Sequence, residues 1–245
     1  MIASDQPTCF PTSVLAAVSS RSDGTMLDRN FEQDELFVED NRERFCALAG
    51  TDYGYTISLK VVYGEDQTYD KIVWLDQSPA TTPPKVIKAD ALITSAKSVG
   101  LFLPVADCTA TIIYDPVNSY LALIHLGRHS TVAQLANKVV GELTDRGSRA
   151  QDLIVWMSPS ARLESYVMEW FDQEADPGWR GFIKKSNEGI FLDLPGFNKA
   201  ALLASGLSES NIHISPINTM SSTDYFSHSK GDKSGRFAVI AMMRG

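Results

Sequence analysis

Cysteine is scarce in this chain. Its three copies, Cys9, Cys46 and Cys108, lie far apart. That odd count and wide spacing exclude a disulfide framework and a Cys-x-x-Cys zinc knuckle, and point to a reducing, cytoplasmic setting. Long apolar runs are missing too. Nothing approaches the ~20 residues that span a bilayer, and the short apolar patch at 14–18 follows no basic leader. Positive charge is in deficit: 22 Lys and Arg against 30 Asp and Glu give a net charge of −8. Without a long basic run, nucleic acid and anionic membranes are poor partners, which leaves a small molecule. No internal repeat or low-complexity segment breaks the chain. With 44% hydrophobic and 21% charged residues, its 245 residues read as one soluble domain, 1–245, acting as a monomer or homodimer.

The elements come in mixed order. A weak strand falls near Ser13–Ser19. A helix is expected over Val38–Ala49, with Asn41 and Arg42 on its polar side and Phe45 and Leu48 turned inward. Tyr55–Tyr63 and Lys71–Asp76 alternate like strands, and Gln77–Lys88, with three prolines, reads as a surface loop. Ala91–Thr94, Gly100–Val105, Leu153–Met157, Phe191–Leu194, Ile212–Ser215 and Phe237–Met243 read as strands. Ser165–Phe171 and Gly196–Ser205 read as helices. Hairpins without regular βαβ spacing indicate an α+β fold with mixed sheets.

The most informative stretch is 99–126, two β-branched, aliphatic runs around Tyr114-Asp115-Pro116-Val117-Asn118-Ser119. Pro116 suits the second position of a type I turn. If Asp115 and Asn118 close that turn, Tyr114 pairs with Ser119 and Cys108 falls directly opposite His125, with Cβ atoms ~5 Å apart. A bulge of one residue would send the two side chains to opposite faces. A thiol and an imidazole in reach of each other are a candidate catalytic or metal-binding pair. The plain alternative is a core-filling cysteine and a satisfied strand-end histidine. Beyond His125, a helix is expected over Val132–Asp145, capped by Ser130 or Thr131 and stopped by Gly147. Its N-terminus, with Arg128 and His129, would favour a thiolate or bound anion near the pair.

Ala89-Asp90-Ala91, Ala106-Asp107-Cys108 and His125-x-Gly127 follow in the order of the YfiH-like laccase-domain family, whose members are also described as polyphenol oxidases, multicopper oxidoreductases or purine nucleoside phosphorylases. Asn41-Arg42, Ser158-Pro159-Ser160, Tyr166-Val167, Phe191-Leu192-Asp193-Leu194 with Asn198, and Ile212–Pro216 extend the resemblance. Phe226-Ser227 and Ser234-Gly235-Arg236 carry it to the end of the chain. The resemblance implies a four-layer α/β/β/α fold, related to cytotoxic necrotizing factor-type deamidase toxins. It also implies a zinc site of one Cys and two His, sometimes reported as copper. The activity it implies is phosphorolysis of adenosine, inosine or methylthioadenosine, with adenosine deamination in some members.

The chain departs from that pattern at the site. Cys108 and His125 match two ligands, but the His of the family's Gln-Val-His-Gly element is replaced by Tyr69, or, in a second alignment, by Tyr63. His-Ala-Gly-Trp-Arg becomes His125-Leu126-Gly127-Arg128-His129. Only four histidines exist, at 125, 129, 213 and 228, too few for a multicopper oxidase centre. His129 or His228 is left to supply a third metal ligand. Three readings stand. The first is a nucleoside phosphorylase with Cys108 and His125 at its centre, Arg42, Arg128 and Arg236 as anion holders, and Tyr69 and Tyr166 as stacking or hydrogen-bonding groups. The second is a metal-free cysteine hydrolase or amidase built on a Cys108–His125 dyad, its imidazole oriented by Asp107, Thr109 or Ser130. The third is a binding module that has lost catalysis.

Overall fold

The computed structural model describes residues 1–27, 35–75 and 85–245. Five strands form one mixed sheet: β1 (Val14–Val18), β2 (Thr56–Lys60), β4 (Lys85–Lys88), β6 (Gly100–Val105) and β14 (Phe237–Met243), in the order β1-β14-β6-β2-β4. Six form a second: β3 (Ile72–Leu75), β5 (Ala91–Thr94), β7 (Thr109–Asp115), β8 (Tyr120–Leu126), β9 (Ile154–Met157) and β13 (Ile212–Ile214), in the order β13-β9-β7-β8-β5-β3. A small third sheet joins β10 (Val167–Met168), β11 (Ile183–Ser186) and β12 (Gly189–Leu192). The helices are α1 (Glu35–Ala49), α2 (Arg128–Val132), α3 (Leu135–Asp145) and α4 (Leu194–Ala204).

Strand alternation sorts the apolar side chains into layers. Ile57, Leu101, Leu103 and Val239 of the first sheet meet Leu92, Ile112, Leu123 and Trp156 of the second in the central core. On the second sheet's other face, Ile113, Ala122 and Ile124 pack on Leu135, Val139 and Leu143 of α3 and Leu202 of α4. On the first sheet's outer face, Leu15, Phe102 and Ile240 pack on Phe45 and Cys46 of α1. The layers therefore run α/β/β/α. Because β7 is covered on both faces, all seven of its residues are buried, Thr109, Thr111 and Asp115 among them.

Several expectations need correcting. The hairpin register is Ala110 opposite His125 and Asp115 opposite Tyr120, two residues from the expected pairing. The loop is Pro116–Ser119. Asp115 Oδ1 accepts from the amides of Val117 and Asn118 at 2.7 and 3.0 Å, and Ser119 takes a left-handed φ of 57°. This side-chain turn draws Asn118 and Ser119 into the loop, two residues more than a two-residue loop of Pro116 and Val117 would hold. A shift of two keeps every side chain on its face. Cys108 and His125 therefore still share one, on a diagonal.

On α1, Asn41 and Arg42 face inward. Val38, Asn41, Arg42, Phe45 and Cys46 are buried, whereas Leu48 is 64% exposed. The inward stripe follows 3.6-residue spacing, and its polar members meet backbone carbonyls: Asn41 Nδ2 donates to Thr25 O at 3.0 Å and Arg42 Nη2 to Met26 O at 2.7 Å.

Lys85–Lys88, expected as loop, pairs in parallel with β2, while 76–84 lie outside the described residues. Val167 and Met168, expected within a helix, instead form a strand at the edge of β12, because the β11–β12 hairpin offers a row of open backbone groups. The helix expected from Val132 is broken in two, since Gln134 takes a left-handed conformation with φ 60°. Neither expected cap serves. Ser130 Oγ accepts from Gly127 N at 2.9 Å and donates to His125 O at 2.8 Å, while Thr131 Oγ1 accepts from Asn198 Nδ2 at 2.8 Å. Asp193 caps α4 through Gly196 N at 2.9 Å, starting it two residues before the expected Gly196.

Candidate functional site

Cys108 sits just before β7, on a backbone bent by Asp107, whose φ is +72°. A non-glycine residue in this region is held there by its surroundings. Here Asp107 Oδ1 accepts from Thr219 Oγ1 and Oδ2 from Ser229 N, both at 2.8 Å. The Asp107 carboxylate thus pins 219–229 to the start of β7, and neither of these bonds goes to the imidazole. His125 is held by its backbone amide, which donates to Asp90 O at 2.9 Å, and by Ser130 at its carbonyl. Its side-chain Nδ1 is buried with no hydrogen-bond partner.

Thiol and imidazole converge beside Gly127. A β-carbon there would stand 2.9 Å from Cys108 Sγ, 3.1 Å from His125 Cε1 and 3.6 Å from Nε2. The φ of Gly127 is an ordinary −99°, so glycine is needed for space and not for conformation. Burial, with Asp107 adding to it, pushes the Cys108 thiol up to about 12. Burial, reinforced by Arg236, pushes His125 down to about 4. Both groups are neutral at pH 7. No thiolate–imidazolium pair stands ready, unlike the activated cysteine of a hydrolase dyad.

Both side chains line a cavity of about 520 Å³, within the ~300–1,000 Å³ range of small-molecule sites. Tyr63, Tyr166, Arg42 and Arg236 line it as well. Tyr63 stands edge-on to the His125 ring, centroids 6.4 Å apart at 88°. Between the two candidate tyrosines, Tyr63 is the one beside the Cys/His pair. Tyr69, with φ 57°, instead stacks on His129 at 4.4 Å and 17° and meets Tyr63 at 6.1 Å. Tyr69, Arg128 and His129 lie outside the lining. Arg128 Nη2 meets His129 Nε2 at 2.9 Å, and Arg128 Nη1 lies 3.9 Å from Asp172. Burial, with the Cys108 thiol second, pushes Tyr166 up to about 12.

A catalytic zinc takes three protein ligands and keeps one open position. Among the described residues, no group of three His, Cys, Asp or Glu side chains could hold a metal ion. His129 is stacked away on Tyr69, and a tyrosine stands by His125. The donors present do not fit the three-ligand zinc or copper centre that the family resemblance implies.

The wall that carries Ser229 and Arg236 is secured by an ion pair. Arg21 Nη1 and Nη2 donate to the two Asp232 oxygens at 3.1 and 2.6 Å, and Ser227 N donates to Asp232 Oδ2 at 2.8 Å. The Arg21 hydrogen bond holds Asp232 below the usual carboxylate range. A depressed carboxylate stabilises the fold above its unfolded value near ~3.9 and loses that contribution as pH falls through the lower folded value. Asp232→Asn is therefore expected to lower stability by up to about 1 kcal/mol at pH 7. The difference from the parent protein should shrink below about pH 4. Thermal unfolding at the two pH values measures it.

This α/β/β/α fold is that of solved YfiH-type structures. YfiH of Bacillus licheniformis superposes with a TM-score of 0.78 at 20% identity, covering 94% of this chain and 93% of that one. YlmD of Geobacillus stearothermophilus gives 0.76 at 20% identity, covering 100% and 98%. The family model of the multi-copper polyphenol oxidoreductase laccases matches residues 14–244, and the chain belongs to that family. The purine nucleoside phosphorylase YlmD of Bacillus subtilis is 29% identical over 84% of this chain and 77% of its own. The purine nucleoside phosphorylase ORF3 of Streptomyces griseus is 27% identical over 84% and 81%. Among the described residues, no helix is long and apolar enough to cross a membrane.

Sequence reasoning placed Cys108, His125, Tyr166, Arg42 and Arg236, all of which the fold brings to one cavity. It did not single out Ser58, Lys60 or Ser229. Ser58 and Lys60 alternate along an expected strand, so their shared face was readable, but what that face meets was not.

Proposed function

We propose that the chain is a purine nucleoside phosphorylase-type enzyme, acting on adenosine, inosine or a related purine nucleoside. The observation that carries this reading is the convergence of Cys108, His125, Tyr63, Tyr166 and two arginines on one 520 Å³ cavity. The names of the relatives support it. In the reaction, a phosphate oxygen bonds to ribose C1′ as the C1′–N9 bond breaks. The bonding pair passes to the purine nitrogen and the phosphate proton ends on the base, giving free base and ribose 1-phosphate. The chain's part is to hold the two reactants in line, exclude water and complement the charge that develops on ribose and base.

His125, neutral and with Nδ1 unpartnered, is the group for a hydrogen bond to the nucleoside. Tyr63, 52% exposed at the cavity, offers an aromatic face for the base. Base–aromatic stacking contributes ~1–3 kcal/mol. Tyr63→Ala is therefore expected to raise KM for inosine about tenfold with a smaller change in kcat, and Tyr63→Phe to restore it. Hypoxanthine release followed at 0 and saturating phosphate tests the whole reading. Release should require phosphate, and release at the same rate without it would overturn phosphorolysis.

A further inference from the structure

Besides the Cys/His pair, α1 and β2 also contribute to the cavity lining, through Arg42, Ser58 and Lys60. We propose that Arg42, Ser58 and Lys60 form a phosphate subsite there, which deepens the phosphorylase reading by naming where its phosphate group is held.

Four observations carry it. Arg42 is a buried cation, 7% exposed, and buried arginines are normally paired with a carboxylate. Among the described residues Arg42 has no such partner. Nε and Nη2 donate to Met26 O at 3.1 and 2.7 Å and Nη1 to Tyr53 Oη at 2.8 Å, and among the described residues no other acceptor takes the second hydrogens of Nη1 and Nη2. The guanidinium also lies over the Phe102 ring, 5.7 Å from its centroid.

Ser58 is the β2 residue registered against Phe102, which places it under the same helix. Ser58 belongs to the cavity lining, and its hydroxyl is buried with no hydrogen-bond partner. A buried hydroxyl left unsatisfied costs ~1–3 kcal/mol, so a ligand atom there is strongly favoured. Lys60, two residues on and on the same face of β2, brings a second cation to the lining.

The balance of charge points the same way. In a chain of net charge −8, the described lining holds Arg42, Lys60 and Arg236 but a single acid, Asp107. Both Asp107 oxygens are already engaged by Thr219 and Ser229. A positive wall in an acidic protein focuses a dianion into the cavity.

The phosphate arrives either as inorganic phosphate or as an ester on the nucleoside. Calorimetric titration of the full-length protein with inorganic phosphate, inosine and inosine 5′-monophosphate separates these sources. Phosphate binding that adds to inosine binding assigns the subsite to the inorganic ion. Monophosphate binding tighter than inosine, and competed by phosphate, assigns it to the ester. Ser58→Ala removes an unpartnered hydroxyl, so its melting temperature should not fall, yet it should weaken phosphate binding about tenfold, as losing one hydrogen bond to a charged group does. Lys60→Gln should weaken binding and flatten its dependence on salt. Unchanged phosphate affinity in both variants, or no phosphate binding by the parent protein, overturns the subsite. Phosphate binding without phosphate-dependent base release would instead leave the subsite standing and remove the phosphorylase reading.

Discussion

Valine at position 127 is expected to give the largest structural effect of any single change near the site. Its Cβ would lie 2.9 Å from Cys108 Sγ and 3.1 Å from His125 Cε1, inside van der Waals contact. Neither neighbour yields easily. His125 is locked in β8 between β5 and β7, and Cys108 is anchored by the Asp107 turn. Overpacking of this kind costs ~1–3 kcal/mol even for a small insertion, and valine adds two further methyls. Gly127→Ala should cost about 1–3 kcal/mol and Gly127→Val more, read by thermal or urea unfolding. Because the Gly127 backbone is ordinary extended chain, the loss should track side-chain volume. An equal loss for alanine and valine would point to a conformational cause and contradict the packing account.

Replacing His125 is expected to give the largest effect on activity. Alanine there removes an imidazole of the cavity lining whose Nδ1 is buried and unpartnered, leaving nothing else of its kind on the lining except His228. Groups that position or exchange a proton with a reacting atom contribute ~10²–10⁴-fold. His125→Ala should therefore lower kcat/KM for phosphate-dependent base release by at least about a hundredfold, mostly in kcat. Its melting temperature should fall only modestly, since deleting a buried nitrogen without a partner relieves a cost that offsets part of the lost packing. A variant that folds and retains parent-like turnover would remove His125 from the chemistry.

The sequence made some of this arrangement legible and hid the rest for definable reasons. Alternation and turn residues placed the hairpin, and the shared face of Cys108 and His125 survived a register error because the error was even. The missing two residues lay in Asp115, whose carboxylate takes two backbone amides that a generic turn would not. Asn41 and Arg42 were placed on the polar side of the helix because their types are polar. They are buried because the 25–26 segment presents carbonyls to α1, a tertiary fact with no local signature. The choice between Tyr63 and Tyr69 was undecidable by spacing, since the chain turns at Tyr69 with positive φ and carries its ring to His129. That Arg42 shares a cavity with Ser58 and Lys60 was invisible, because α1 and β2 come together only across layers.

Product identity tests the central claim most directly. Incubation of the protein with inosine and phosphate, followed by separate quantitation of hypoxanthine, ribose and ribose 1-phosphate, distinguishes transfer from hydrolysis. The account predicts hypoxanthine and ribose 1-phosphate in equal amounts, both lost in His125→Ala. Hypoxanthine with free ribose, or no release from any purine nucleoside, would contradict it.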